Sequence, residues 1–322
     1  MMMFLSNVIM RQRQIVATSR PDLWRDKLDT GLIGPRFVAI WTMSVARRYP
    51  PPELWPVGPS HPLPQGEAMP APANLLKARL QRGDTVFGCW LSMAEPYLAE
   101  MAGTCGFDWL LIDGEHAPND IRSIGAQLAV LGHTAPIVRL PVGDTALIKQ
   151  ALDIGAQSLM IPMVETGAQA DQIYRATRYP AAGVRGVGSS AARASRFSAI
   201  PDYLATANDQ ICLILQVESR NALANLDDIL AVPADCVFVG PSDLAADMGH
   251  LGQPGHPEVK AAVLATLTRI RAAGKAAGVL ATDPDFIAEC RAAGANFLGI
   301  GIDVALYLKA MRTLAAQYCA QT

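Results

Sequence analysis

Phe107-Asp108-Trp109-Leu110-Leu111-Ile112-Asp113-Gly114-Glu115-His116-Ala117-Pro118-Asn119-Asp120 decides how the rest of the chain is read. An apolar run that stops abruptly at a carboxylate, a glycine, a second carboxylate and an imidazole reads as a buried parallel strand. Its C-terminal tip carries polar groups into a cleft. Outward from this stretch the same plan recurs. Strand-like runs fall at Val86–Leu91, Trp109–Ile112, Ile137–Leu140, Leu159–Pro162, Ile211–Val217, Cys236–Val239, Ala277–Leu280 and Phe297–Ile300. Each gap between them is long enough for a helix. Amphipathic helices are predicted at Pro118–Leu131, Asp144–Ile154, Gly167–Thr177, Asn221–Leu230, Pro257–Ala273 and Asp283–Ala293, with a first helix near Asn74–Leu80 and a last at Asp303–Gln317. Gly132, Gly155, Gly274 and Gly294 follow the last apolar positions of four of them, where a left-handed C-cap needs glycine.

Eight β/α units in the 254 residues from Met69 (322 − 68) predict an α/β protein of the (β/α)8 TIM-barrel type, which typically takes about 250 residues. A doubly wound open sheet is the alternative. Its dinucleotide-binding form needs a glycine-rich turn directly after the first strand, and none stands there.

Composition narrows the function classes. Half the residues are hydrophobic and only 6% aromatic, which suits aliphatic strands and Ala-rich helices. A net charge of −2 offers no electrostatic case for nucleic acid or an anionic membrane. No apolar run approaches the roughly 20 residues that span a bilayer. Six scattered cysteines without C-x-x-C spacing predict free thiols in a reducing, cytoplasmic setting. Met1–Met10 is apolar with its charges after it, at Arg11 and Arg13, the reverse of a signal peptide's order.

Residues 1–68 differ from the remainder. They hold eight Lys/Arg against five Asp/Glu, and prolines recur from Pro50 to Pro72. That density denies helix and central strand alike and predicts an extended, poorly packed segment, with at most a short helix around Pro21–Thr30. The domain reading is an N-terminal extension over 1–68, dispensable to a barrel over 69–322.

In a barrel the active site lies where strands end. The polar residues there are Asp113 and His116 after the second strand, Arg139 in the third, Gln216 and Glu218 ending the fifth, and Asp243 after the sixth. Singly, each reads as a cap or a satisfied structural residue. Together on one face they are costly to bury without a ligand or metal. Glu218 and Asp243 supply two hard oxygen ligands, which suit Mg²⁺ or Mn²⁺ better than zinc. The segment Gly183–Arg196, rich in Gly, Ser and Arg, reads as a loop over the site, with Arg185, Arg193 or Arg196 meeting an acidic substrate.

Several stretches resemble the metal-dependent pyruvate aldolases: D-G-E-H-A-P-N-D (113–120), the strand containing Arg139, I-P-M-V-E (161–165), A-T-R-Y-P (176–180) with G-V-R-G-V-G (183–188), I-P-D-Y-L (200–204), L-Q-V-E-S-R (215–220) and G-P-S-D-L-A-A-D-M-G (240–249). Within that family the pattern is most similar to the members that cleave 4-hydroxy-2-oxoheptanedioate in aromatic-acid catabolism. The resemblance runs from about Asn74 to the C-terminus. It implies a lyase reaction giving pyruvate and an aldehyde such as succinic semialdehyde. It also implies a divalent cation (Mg²⁺, Mn²⁺ or Co²⁺) on Glu218 and Asp243, with pyruvate seated by Gln216 and Ser242. His116 would be the general base, Asp153 would strengthen it, across a subunit boundary if need be, and Asp113 would assist. Arg139 would stabilise the enolate oxygen. The resemblance further implies a homo-oligomer, a hexamer, with the last helix a candidate for packing on a neighbour.

Such roles suit the chemistry. Aldol cleavage removes a proton from the C4 hydroxyl while charge flows onto the C2 oxygen, so a base, a cationic partner and a Lewis acid all help. A Schiff-base mechanism would need a lysine at the barrel mouth. Lys27, Lys77, Lys149, Lys260, Lys275 and Lys309 all fall elsewhere in the predicted pattern. One departure concerns the substrate. Arg139 is followed by Leu140-Pro141-Val142-Gly143-Asp144, where the heptanedioate enzymes carry Pro-Ser-Trp. With Gly88-Cys89-Trp90, this leans toward relatives that cleave 2-keto-3-deoxy sugar acids. From another class, a non-catalytic barrel docking partners through its basic, Pro-rich N-terminus is the remaining alternative.

Overall fold

Strands β1 (Val86–Leu91), β2 (Trp109–Asp113), β3 (Ala135–Arg139), β4 (Ser158–Ile161), β5 (Cys212–Val217), β6 (Cys236–Val239), β7 (Ala276–Leu280) and β8 (Phe297–Ile302) pair in parallel in chain order and close into a barrel. The computed structural model describes residues 68–132 and 134–319. The extension predicted over 1–68 lies, except for Ala68, outside the described residues, as does the helix near Pro21–Thr30.

Alternation along the strands divides the core in two. Leu110 and Ile112 of β2 point outward to the helices, into a layer with Val138, Leu159, Leu213, Val237 and Leu298. Trp109 and Leu111 point inward, with Trp90, Ile137, Met160, Ile214, Phe238 and Phe297. Four aromatic residues, Trp90, Trp109, Phe238 and Phe297, help to fill this interior. Trp109 stacks on Phe297 with centroids 4.4 Å apart, and Trp90 meets Trp109 edge-on at 5.5 Å. Helix α1 (Leu75–Arg82) closes the end where the strands begin, burying Leu76 and Leu80 against this interior. Its cap, Asn74, accepts from the Lys77 N–H and donates to Ser158 Oγ, so the same residue starts the helix and ties it to β4.

Seven of the remaining helices flank the strands as α2 (Pro96–Gly103), α3 (Ile121–Val130), α4 (Thr145–Asp153), α5 (Gly167–Ala176), α6 (Tyr203–Thr206), α7 (Arg220–Ala224) and α8 (Leu226–Ala231). They are followed by α9 (Pro241–Asp247), α10 (Pro257–Ala272), α11 (Pro284–Ala292) and α12 (Asp303–Tyr318). Three predicted boundaries change. Helix α3 starts at Ile121, not Pro118, because Asp120 caps it and forms a reciprocal capping box with Ser123. The helix predicted over Asn221–Leu230 is two helices, broken at Asn225, whose side-chain amide donates to the Glu165 carbonyl at 2.9 Å. Gly155, Gly274 and Gly294 are left-handed as expected, whereas Gly132 is not, since α3 ends on Leu131 at φ −80° and ψ 74°. Helices α2, α6 and α9 escaped the pattern because each is too short to show a clear apolar period. Cys89, Cys212, Cys236 and Cys290 are buried, and no helix among the described residues is long and apolar enough to cross a membrane.

Candidate active site

Parallel pairing places the last residues of β2 and β3 side by side, since Asp113 is the register partner of Arg139. Their side chains form a two-pronged ion pair: Arg139 Nε donates to Asp113 Oδ1 at 3.0 Å and Nη2 to Oδ2 at 2.7 Å. Burial alone would raise the Asp113 pKa. The Arg139 fork and the N–H groups of Glu115 and His116 more than offset it and hold the carboxyl below its ordinary range. The turn that follows is tight. Gly114 donates its N–H to the Arg139 carbonyl, and a Cβ there would meet that oxygen at 2.6 Å, so only glycine fits. Asn119 closes it by donating to the Asp113 carbonyl at 2.7 Å.

Glu115, to which the sequence pattern gives no role, lies at the centre of this group. Its Oε2 is 2.8 Å from Arg139 Nη1 and 3.7 Å from His116 Nε2, yet it accepts no well-directed hydrogen bond. Its pKa is raised, first by burial and then by the carboxylates of Asp113 and Asp243, against the opposing pull of Arg139 and His116. A buried carboxylate one residue from a candidate base was the available signal. His116 itself is exposed at the mouth.

Across the barrel, Glu218 is 2% exposed and Gln216 3%. Glu218 Oε1 accepts from the Met163 N–H at 2.8 Å, and its Oε2 accepts from Gln216 Nε2. Met163 is held at φ +52°, a conformation a side-chain-bearing residue adopts at a cost of about 1–2 kcal/mol. That turn aims its N–H at Glu218, and nothing in the local sequence announces it. Gly240, between β6 and α9, lies directly against the Glu218 carboxylate, leaving no room for a Cβ. Asp243 and Ser242 stand exposed in the first turn of α9, just beyond. Burial pushes the Glu218 pKa up to about 7; Asp243 and Glu115 add to the rise, while the Met163 N–H and the Gln216 amide oppose it.

A divalent cation fits this donor set. The Asp243 carboxylate raises the proton affinity of both Glu218 and Glu115, Glu115 adds to that of Glu218, and among the described residues no hydrogen-bond partner meets the buried Gln216 Oε1 and Glu115 Oε2 atoms. A second group of potential ligands, His250, His256 and Glu258, is no rival as placed. The two imidazoles stack 3.6 Å apart with planes 15° from parallel, so both cannot aim a lone pair at one ion. The described lysines also stay clear of the mouth. Lys77 and Lys275 bind carbonyls where strands begin, Lys260 pairs with Glu289, and Lys149 and Lys309 lie on helices.

One expectation is narrowed to action between copies, and one changes. Asp153 is the last residue of α4, five residues before β4 begins, so it sits on the face opposite this site. It pairs with Arg185 at 2.8 Å rather than with His116 of its own barrel. Gly183–Arg196 likewise belongs to the connection from α5 back to β5, and such helix-to-strand connections lie where strands start. It does not cover the site of its own barrel. Arg193 instead donates to the carbonyls of Ile154 and Leu128.

Comparison with known proteins agrees with this geometry. The family model described as HpcH/HpaI aldolase/citrate lyase matches residues 86–310. A hydroxypyruvate/pyruvate aldolase of Roseovarius nubinhibens is 55% identical over 253 residues, covering 78% of this chain and 98% of the relative. A 2-keto-3-deoxy-L-rhamnonate aldolase of Salmonella gallinarum is 52% identical over 249 residues, covering 76% and 93%. Among solved structures, an HpcH/HpaI aldolase/citrate lyase family protein from Burkholderia cenocepacia superposes with a TM-score of 0.73 at 40% identity, covering 76% of this chain and 99% of that one. The chain is therefore a carbon–carbon lyase of the aldolase type and belongs to the HpcH/HpaI aldolase/citrate lyase family.

Proposed function

We propose that the protein reversibly cleaves a 4-hydroxy-2-oxo acid into pyruvate, or a close analogue, and a small hydroxylated or oxidised aldehyde. The observation that carries this reading is the convergence at one barrel mouth of a base, an arginine and a set of buried carboxylates. The family generally works with a divalent metal, and here Glu218 and Asp243 would hold it. When bound, the ion would supply Lewis-acid polarisation of the 2-oxo acid. His116 takes the proton from the C4 hydroxyl as the C3–C4 bond breaks. Arg139, clamped by Asp113 and Glu115, keeps one N–H on each terminal nitrogen for the oxygen that gains charge. Gln216, with its free Oε1, and Ser242 seat the acid end.

For the aldehyde half, the relatives named for hydroxypyruvate/pyruvate and for 2-keto-3-deoxy-L-rhamnonate support the sugar-acid reading over the heptanedioate one. The exposed Val142 after β3, in place of a bulky aromatic, agrees. Asp153 acts on His116 only between copies, because it lies on the far face of its own barrel. A homo-oligomer, a hexamer in our reading, is supported by α12, a 16-residue helix with no buried residue and with Tyr307, Met311, Leu314 and Tyr318 exposed at helical spacing. Residues 1–68 are proposed to be dispensable to this chemistry.

The test is deuterium exchange into the methyl group of pyruvate in D₂O, with Mn²⁺ or Mg²⁺ and then with excess chelator. Metal-dependent exchange, lost in Glu218→Ala, is expected; no exchange in either condition would leave the non-catalytic barrel as the better account. Offering tartronate semialdehyde against succinic semialdehyde then separates the two substrate readings.

A further inference from the structure

Arg185 is anomalous for a residue outside the site. It is 1% exposed, in the long connection between α5 and β5, and a buried guanidinium ordinarily has all its donors satisfied. Here Nη2 donates to Asp153 Oδ1 at 2.8 Å and the guanidinium lies 4.3 Å over the Tyr179 ring. Among the described residues Nε and Nη1 have no hydrogen-bond partner, and neither has the buried Tyr179 hydroxyl. Nothing in the reaction as so far described uses this arginine.

The geometry of the pair is informative beside that of Arg139 and Asp113. There the fork grips both carboxylate oxygens, which saturates the anion. At Arg185 only one prong is engaged, and it takes only Oδ1. Among the described residues none donates a hydrogen bond to Asp153 Oδ2, and the Asp153 side chain is 26% exposed. The other cations on this face do not compete for it: Arg193 is engaged with the Ile154 and Leu128 carbonyls, and Lys149 lies one turn back on α4 beside Gly186. A clamp meant only to fasten the connection to α4 would serve as well with an apolar pair, at no cost of burying a charge.

We infer that Arg185 is a positioning residue: it fixes one oxygen of Asp153 so that the other, Oδ2, is presented outward to the imidazole of His116 from a neighbouring copy. This rests on the reading above that Asp153 acts on His116 between copies. The fixed carboxylate sets the orientation of that imidazole, and a cation at its back limits how much negative charge it offers. The long α5–β5 connection, with its buried arginine, thereby serves the active site of a second barrel rather than its own.

A double-mutant cycle tests this, using the full chain with its metal. Pyruvate methyl exchange and aldol cleavage are followed against pH in wild-type, Asp153→Asn, Arg185→Met, Arg185→Lys and the double variant Arg185→Met/Asp153→Asn, each checked for oligomeric mass. Arg185→Met is expected to lower kcat about 10- to 100-fold, as loss of an outer-shell partner does, with KM for pyruvate within about twofold. Its pH profile should depart from wild-type, while the double variant should coincide with Asp153→Asn alone. Losses that add instead of saturating, or an Arg185→Met enzyme with wild-type kcat and pH profile, would overturn the inference. If Arg185→Met does not fold, Arg185→Lys decides: it keeps the charge but not the planar fork, and a wild-type kcat and profile there would sink the idea equally. If Asp153→Asn itself changes nothing, the failure belongs to the inter-copy reading.

Discussion

Glu218→Gln should change how stability depends on pH in a way that can be calculated. The carboxyl is 2% exposed and its pKa is raised from 4.5 to about 7, chiefly by burial. Below about pH 4.5 it is protonated whether the chain is folded or not. Above that, the unfolded chain releases the proton while the folded chain keeps it, so the stability this group contributes is lost as pH rises through about 7. At 1.36 kcal/mol per unit, the whole change amounts to about 3 kcal/mol in the metal-free protein. Glu115, also raised, acts in the same direction. Asp113, whose pKa is lowered, contributes stability that is lost only as pH falls below the carboxylate range, outside this window. The assay is denaturant unfolding in excess chelator at fixed protein concentration, between pH 5 and 8, for wild-type and Glu218→Gln. Wild-type should lose up to about 3 kcal/mol more than the variant over that range. Adding Mn²⁺ should restore wild-type most strongly at the alkaline end, since the ion binds the ionised carboxylate. Parallel curves for the two proteins would refute the argument that Glu218 is buried among other carboxylates with no cation to offset them.

Three further outcomes follow from the same structure. Arg139→Ala should cost about 3 kcal/mol or more of stability, because it strands the buried Asp113 carboxylate, and should slow pyruvate exchange on the order of 10²-fold; thermal unfolding and the exchange rate check both. Gly240→Ala places a methyl group where the Glu218 carboxylate lies, so calorimetric titration should show Mn²⁺ binding weakened by about tenfold or more with the fold retained. Replacing Tyr307, Met311, Leu314 and Tyr318 of α12 by lysine should lower the mass seen by sedimentation and reduce activity together with it, and an unchanged mass would remove α12 from the interface.

The architecture was legible from Val86 to Ile302 because its signals are local. Each strand is a short apolar run, each helix has a 3.6-residue apolar period, and caps such as Asp144 and Asp283 precede helices directly. Strand tips were legible for the same reason, so Asp113, Arg139, Gln216, Glu218 and Asp243 could be named as candidates from position alone. What failed was not local: the Asn225 break in the helix predicted over Asn221–Leu230 depends on a side-chain bond to Glu165, sixty residues away in the chain.

The sequence by itself determined a (β/α)8 barrel and a roster of polar residues at strand ends, since both follow from patterns within about ten residues. Only the tertiary structure decided which of those residues meet. Barrel closure puts Glu115 between Arg139 and His116, and the left-handed turn at Met163 aims an N–H at Glu218. It also decided that Asp153 and the Gly183–Arg196 segment face away from their own site. Their side chains looked like active-site chemistry, but each helix returns the chain to the end where strands begin, away from the mouth of the same barrel.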